Sequence, residues 1–215
     1  MLVKNKMTPQ PICGHPGMPV TEAQALMEEK SIRHLPILDE EGKLVGLVTQ
    51  RSLLRALPSD VSTFSRFEVS YVLGKVKVAH VMVKDVTTID ENTAIEEAAR
   101  IMADHKIGCL PVLKNGDLVG IITDNDLFTI MVDLLGARRA GVRVTILQPD
   151  RPGEIARVAT AIAKKGGNLT VSVGSPAGEP GKWVSVLKVT NIPQTGLDQI
   201  LDELGDIEIL DVREM

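Results

Sequence analysis

Apolar and polar positions alternate in two different rhythms along this chain, and the change comes at Gly136. Before it, apolar residues at helical spacing lead into short continuous apolar runs. Ile95, Ala98, Ala99, Ile101 and Met102 fall on one helical face. The runs Leu110-Pro111-Val112-Leu113 and Leu118-Val119-Gly120-Ile121-Ile122 follow, separated by Asn115-Gly116-Asp117. Asn-Gly between apolar runs predicts a hairpin, because both residues accept the positive φ of its turn. A further helix is predicted from about Asn125 to Leu135, so the segment reads helix, strand, turn, strand, helix. After Gly136, strict alternation takes over. Val142, Val144 and Ile146 predict a half-buried strand, and Ile155, Val158, Ala159 and Ile162 a helix that Gly166-Gly167 ends. Leu169, Val171 and Val173 predict a second strand, and Trp183 to Val189 a third. Leu197, Ile200, Leu201 and Leu204 give a second helix, and Ile207 to Arg213 a last strand. The order is βαββαβ.

The first rhythm occurs twice. Met27 to Leu38 lines up with Met102 to Leu113, and both copies carry Leu-Pro, at Leu35-Pro36 and Leu110-Pro111. Leu44-Val45-Gly46-Leu47-Val48-Thr49 then matches Leu118-Val119-Gly120-Ile121-Ile122-Thr123 after one residue of loop is dropped. A period of about 75 residues exceeds that of solenoid repeats, so it marks a duplicated supersecondary unit. The first copy turns through Asp39-Glu40-Glu41-Gly42 and continues into a helix from about Gln50 to Leu57. In the second, Thr93-Ala94-Ile95-Glu96 has the spacing of a capping box. Between the copies, Phe64, Phe67 and Tyr71 stand at helical spacing. They belong either to a connecting helix packed on the core or to a subunit contact.

Composition narrows the function classes. An apolar fraction of 44% supports ordinary cores, and with three Phe, one Tyr and one Trp those cores are aliphatic. The net charge is −4 and the basic residues are dispersed, which argues against a nucleic-acid partner. No run approaches the ~18 apolar residues of a membrane helix, and Met1 to Lys6 lacks a signal-peptide pattern, so the cytoplasm is expected. Cys13 and Cys109 suggest neither a disulfide framework nor a zinc site, and His15, His80 and His105 lack metal-ligand spacing. No metal site and no catalytic constellation is expected.

The duplicated unit, with its Leu-Pro strand and Gly-x-x-Thr strand end, resembles the CBS motif. Residues 1–60 and 76–137 then form a CBS pair joined through 61–75. The βαββαβ segment at 142–215, with Asp150-Arg151-Pro152-Gly153 at its first helix, resembles an ACT domain of ferredoxin-like fold. The fold class is thus mixed α/β (α+β). The whole arrangement is similar to the acetoin-utilisation family of CBS–ACT proteins.

On spacing alone, Thr123 and Asp126 suit either an N-cap with a first-turn acid or a phosphate and ribose site at a helix start. The resemblance implies the second: Thr123 on phosphate, Asp126 on the ribose of an adenine nucleotide. In the first copy Thr49 keeps its place, but Ser52 stands where the carboxylate belongs, so two equivalent sites are not expected. Arg33 and His34 occupy the positions of Gly108 and Cys109. They are either a solvated loop or phosphate contacts reaching across the pair, Arg33 by its bidentate fork. In the ACT-like segment Pro152 and Gly153 open a helix start to a carboxylate. Asn168 either caps a turn or, as the resemblance implies, holds an amino acid across a subunit interface.

These readings together predict a regulatory ligand sensor, paired as a homodimer, that takes an adenine nucleotide as ligand rather than as catalytic cofactor. A small amino acid is the expected second ligand. A pure dimerisation or adaptor protein and an enzyme of acetoin metabolism are the alternatives, and the enzyme lacks residues to carry it.

Overall fold

The computed structural model describes residues 1–55 and 75–215. The aromatic segment with Phe64, Phe67 and Tyr71 lies outside the described residues. The chain divides into two compact units, Met1–Leu127 and Phe128–Met215.

In the first unit the copies repeat one another closely. Copy one contains α1 (Val20–Glu29), β2 (His34–Leu38), β3 (Leu44–Thr49) and α2 (Gln50–Arg55), preceded by the short strand β1 (Thr8–Pro9). Copy two contains β4 (Ile89–Asp90), α3 (Ile95–His105), β5 (Cys109–Lys114), β6 (Asp117–Thr123) and α4 (Asp124–Leu134). The β5–β6 hairpin turns at Asn115 (φ 52°) and Gly116 (φ 90°), the left-handed pair that Asn-Gly favours. The longer β2–β3 turn is closed differently. Asp39 Oδ1 accepts from the amides of Glu41 (3.0 Å) and Lys43 (2.8 Å), and Gly42 takes φ 78°. Both hairpins shift register at equivalent points, Ile37/Leu38 and Val112/Leu113.

The capping box expected at Thr93 does not form. Neither α1 nor α3 has a side-chain cap. Instead, each helix start is satisfied by backbone from the segment that leads into the other copy. The Ile95 amide donates to Met1 O (3.0 Å) and the Val3 amide to Thr93 O (2.9 Å). Equivalently, the Val20 amide donates to Val76 O (2.9 Å) and the Val78 amide to Met18 O (2.9 Å). The same lead segments then extend the opposite hairpins. Thr8 and Pro9 pair with Ile121 and Gly120 of β6, and Val83 pairs with Leu47 of β3. A Cβ at Gly46 or Gly120 would overlap the side chain of Met82 or Met7 carried in by the lead, so that methionine would have to shift to admit one. The copies are therefore interlocked. Leu35, Ile37 and Val48 are buried in copy one, as are Leu110, Val112 and Ile122 in copy two.

The second unit is the expected βαββαβ arrangement: β7 (Val142–Pro149), α5 (Glu154–Lys164), β8 (Asn168–Pro176), β9 (Lys182–Thr190), α6 (Gln194–Asp202) and β10 (Glu208–Glu214). The antiparallel sheet has the order β10-β7-β9-β8. Val142, Val144, Ile146, Leu187 and Val189 point from the sheet into one core with Val158 and Ile162 of α5 and Leu197 and Leu201 of α6. The alternation seen in the sequence is this single buried face. Gly166 (φ 84°) ends α5 as a left-handed residue, as its position predicts. Among the described residues no helix is long and apolar enough to cross a membrane.

Candidate functional site: clefts at the helix starts of the duplicated unit

Each copy ends a strand at threonine and starts a helix immediately after it, and the fourth residue folds back onto that threonine. At the β6–α4 junction, Asp126 Oδ2 accepts from the amide and the hydroxyl of Thr123, both at 2.8 Å. At the β3–α2 junction Ser52 Oγ accepts from the Thr49 amide at 3.0 Å and donates to Thr49 O at 2.9 Å. Asp126 thus performs the capping role with one oxygen. No protein hydrogen bond to its other oxygen, Oδ1, is recorded among the described residues.

Thr123 and Asp126 line a cleft of about 270 Å³ together with Arg33 and His34 from the other copy. These four sequence-selected residues come together because the Ile32–His34 segment faces β6 and the start of α4 across the pair. Thr49 is elsewhere. It lines a larger cavity of about 520 Å³ with Ser52, Arg51, Lys106 and Asp124, and Arg33 and His34 border that cavity too. The larger space therefore belongs to the copy that lacks the carboxylate.

Arg33 is not a free cation in this arrangement. Its Nη2 donates to Asp124 Oδ1 at 2.9 Å, with both side chains well exposed, so the pair is worth less than about 1 kcal/mol and an incoming phosphate can displace it. Asp124 aligns with Gln50, and sequence reasoning passed over it although the acid appears in only one copy. Gly108, the counterpart of Arg33, lies against Asp124 and His34 with room for ordinary contact. A Cβ there would stand 3.4 Å from Asp124 Oδ2 and 3.5 Å from His34 Nε2.

Burial is the main cause that holds the His34 pKa below its usual value. The Arg33 charge adds to it, and Asp124 partly opposes it. His34 is therefore neutral near pH 7 and offers a phosphate a hydrogen bond rather than a charge. The linkage has a definite sign. Above pH ~6.5 both folded and unfolded states carry a neutral imidazole and its contribution is flat. Below it the unfolded state takes up the proton first, so stability falls with pH. Urea denaturation between pH 8 and pH 5 is expected to show this decline, and His34→Gln to flatten it. An unchanged profile in His34→Gln would contradict the assignment.

Cys109 is buried, and burial first, then Asp124, push its thiol up to about 12, which removes it as a nucleophile. Burial also raises Cys13. Among the described residues no cluster of His, Cys, Asp or Glu is arranged to hold a metal ion.

In the second unit, Gly153 takes φ 92° as the N-cap of α5, which has no side-chain cap. It borders a cavity of about 340 Å³. Pro152 precedes it, exposed. Asn168 is exposed too, and it is the first residue of β8, paired with Thr190 beside the Val142 end of β7. Gly153 follows the opposite end of β7. One chain does not bring Gly153 and Asn168 together.

A model of the CBS domain matches residues 3–59 and 78–133, and a model of the ACT domain matches 142–209. Among solved structures, the chain is 38% identical to a Vibrio cholerae protein named for acetoin utilization (AcuB), over 64% of this chain and 95% of that one, with TM-score 0.54. The CBS domain pair of protein MJ0100, in complex with 5′-methylthioadenosine and S-adenosyl-L-methionine, is 28% identical. That match covers 65% of this chain and 98% of that one, with TM-score 0.53. CBSX2 in complex with AMP is 30% identical over 61% of this chain and 96% of that one, with TM-score 0.51. Of curated proteins, L-aspartate semialdehyde sulfurtransferase of Methanocaldococcus jannaschii is 30% identical over 127 residues, 59% of this chain. The chain spans only 22% of that relative's length. The chain belongs to the CBS domain family, as a CBS pair followed by a C-terminal ACT domain.

Proposed function

We propose that this protein is a cytoplasmic regulatory sensor that binds one adenine nucleotide per chain and catalyses nothing. One observation carries the reading: Thr123 and Asp126 from one copy and Arg33 and His34 from the other line a single cleft. The free Oδ1 of Asp126 faces ribose hydroxyls, while Thr123, Arg33 and His34 take phosphate. The complexes of CBSX2 with AMP and of MJ0100 with two adenosine compounds support the ligand class. The likeness to the Vibrio cholerae protein supports a place in acetoin utilisation. The ACT unit takes a small amino acid at the helix start of Pro152 and Gly153, with Asn168 supplied by a second chain in a homodimer. The exposed stripe Phe128, Met131 and Leu135 on and just beyond α4 favours such pairing.

The test is calorimetric titration with AMP, ADP, ATP and S-adenosylmethionine. One adenosine ligand per chain is the expected result, and no heat from any of them overturns the reading. A second reading, two ligands per chain, is favoured by the larger cavity beside Thr49 and its Arg51 and Lys106. Two equal sites in the titration would establish it instead.

A further inference from the structure

The two cavities of the first unit, of about 270 and 520 Å³, share Arg33 and His34. Thr123 and Asp126 line only the smaller and Asp124 only the larger, although all three stand at the β6–α4 junction. Arg33 is the one arginine or lysine among the described residues that line the smaller cleft, whereas the larger cavity has Arg51 and Lys106 besides. A phosphate in the smaller cleft therefore depends on a single fixed cation, and that cation is already engaged by Asp124 Oδ1 at 2.9 Å. The partners differ in freedom. Asp124 Oδ1 also accepts from the Asn125 amide at 2.8 Å, which ties the carboxylate to the first turn of α4. The Arg33 side chain is long and 55% exposed, so it is the arginine that turns when the pair opens. The pseudo-symmetric pair would be Gly108 with Gln50, which carries no charge, so the counter-ion stands on one side of the CBS pair only.

We propose that Asp124 is a specificity-determining residue of the nucleotide cleft: it holds Arg33 toward the larger cavity as a counter-ion that a ligand's phosphate must displace. This rests on the reading that the smaller cleft takes an adenine nucleotide, and it deepens that reading by assigning how strongly the phosphate counts. Binding AMP opens the ion pair, whereas binding adenosine leaves it intact. Asp124 thus subtracts from the affinity for AMP and not from that for adenosine, and narrows the gap between them. The pair is exposed, so the subtraction is modest.

Calorimetric titration of the full chain with AMP and with adenosine tests this in a cycle of the unaltered protein, Asp124→Asn, Arg33→Gln and the double variant. Asp124→Asn keeps a side-chain oxygen for the Asn125 amide. It is expected to tighten AMP about two- to fivefold, the range of an exposed ion pair, and to leave adenosine unchanged. Arg33→Gln is expected to weaken AMP about tenfold or more. In the Arg33→Gln background Asp124→Asn should no longer alter AMP, because Asp124 acts through Arg33. Tightening of equal size in that background would mean plain repulsion between carboxylate and phosphate, and would overturn the proposal. An Asp124→Asn that leaves AMP unchanged, or that shifts adenosine as much, would overturn it too while the nucleotide reading stands. If neither AMP nor adenosine binds the unaltered chain, the nucleotide reading falls and this proposal falls with it.

Discussion

Asp126→Ser is expected to cut the thermal shift that an adenine nucleotide gives to half or less, while leaving the unliganded protein nearly as stable as before. The choice of serine comes from the molecule itself. Asp126 caps α4 through Oδ2 and also lines the cleft, so Asp126→Ala removes the cap together with the proposed ribose anchor. Losing the cap alone costs about 1 kcal/mol, which would confuse the readout. Ser52 shows that a serine at the equivalent position still caps, at 3.0 Å to the Thr49 amide. With nucleotide at about 100 times its Kd, binding adds ~2.7 kcal/mol to the folded state. For a unit of this size that is a rise of about 5–10 °C in melting temperature. Removing a charge-assisted bond to a ribose weakens binding by about 1.5–3 kcal/mol, which at the same nucleotide concentration leaves roughly 0.3–1.3 kcal/mol of that stabilisation, half of the shift or less. A full shift in Asp126→Ser would eliminate the carboxylate as the anchor.

The reverse exchange makes the argument symmetrical. Ser52→Asp restores to copy one the acid that copy two has, beside a cavity of about 520 Å³ already lined by Thr49, Arg51 and Lys106. Calorimetry is expected to find a second nucleotide per chain in Ser52→Asp. If stoichiometry stays at one, then cavity shape, not the acid, sets the asymmetry between the copies.

The sequence disclosed what is local and periodic. The duplication, the Asn115-Gly116 turn and the βαββαβ order are each written in short windows, and the structure shows them at those positions. What escaped was non-local. Thr93 has the spacing of a capping box, yet Met1 O takes the Ile95 amide that such a cap leaves free, and nothing near Thr93 signals this. The Arg33–Asp124 pair joins residues 91 apart, so only the fold brings them together.

The interlock of the two copies leads to the other large effect. Leu35→Ala is expected to destabilise the whole first unit by about 2–5 kcal/mol, and to loosen copy two as much as copy one. Leu35 is fully buried in β2, so truncation loses its transfer energy and leaves a cavity among Ile37, Val48 and Met27. Were the copies separate folding units, the damage would stop at β2 and β3. It cannot stop there if copy one's lead segment completes copy two. Thr8 and Pro9 extend β6, and Met1 O closes the start of α3, so copy two depends on a segment joined directly to α1. The Val83–Leu47 and Val20–Val76 bonds impose the converse dependence. Native-state hydrogen exchange decides the matter: amides of β5 and β6 should lose protection in parallel with those of β2 and β3. Leu110→Ala, at the matching position in β5, should give the mirror result of equal size. Retention of full protection by β5 and β6 in Leu35→Ala would show that the exchanged lead segments do not couple the copies.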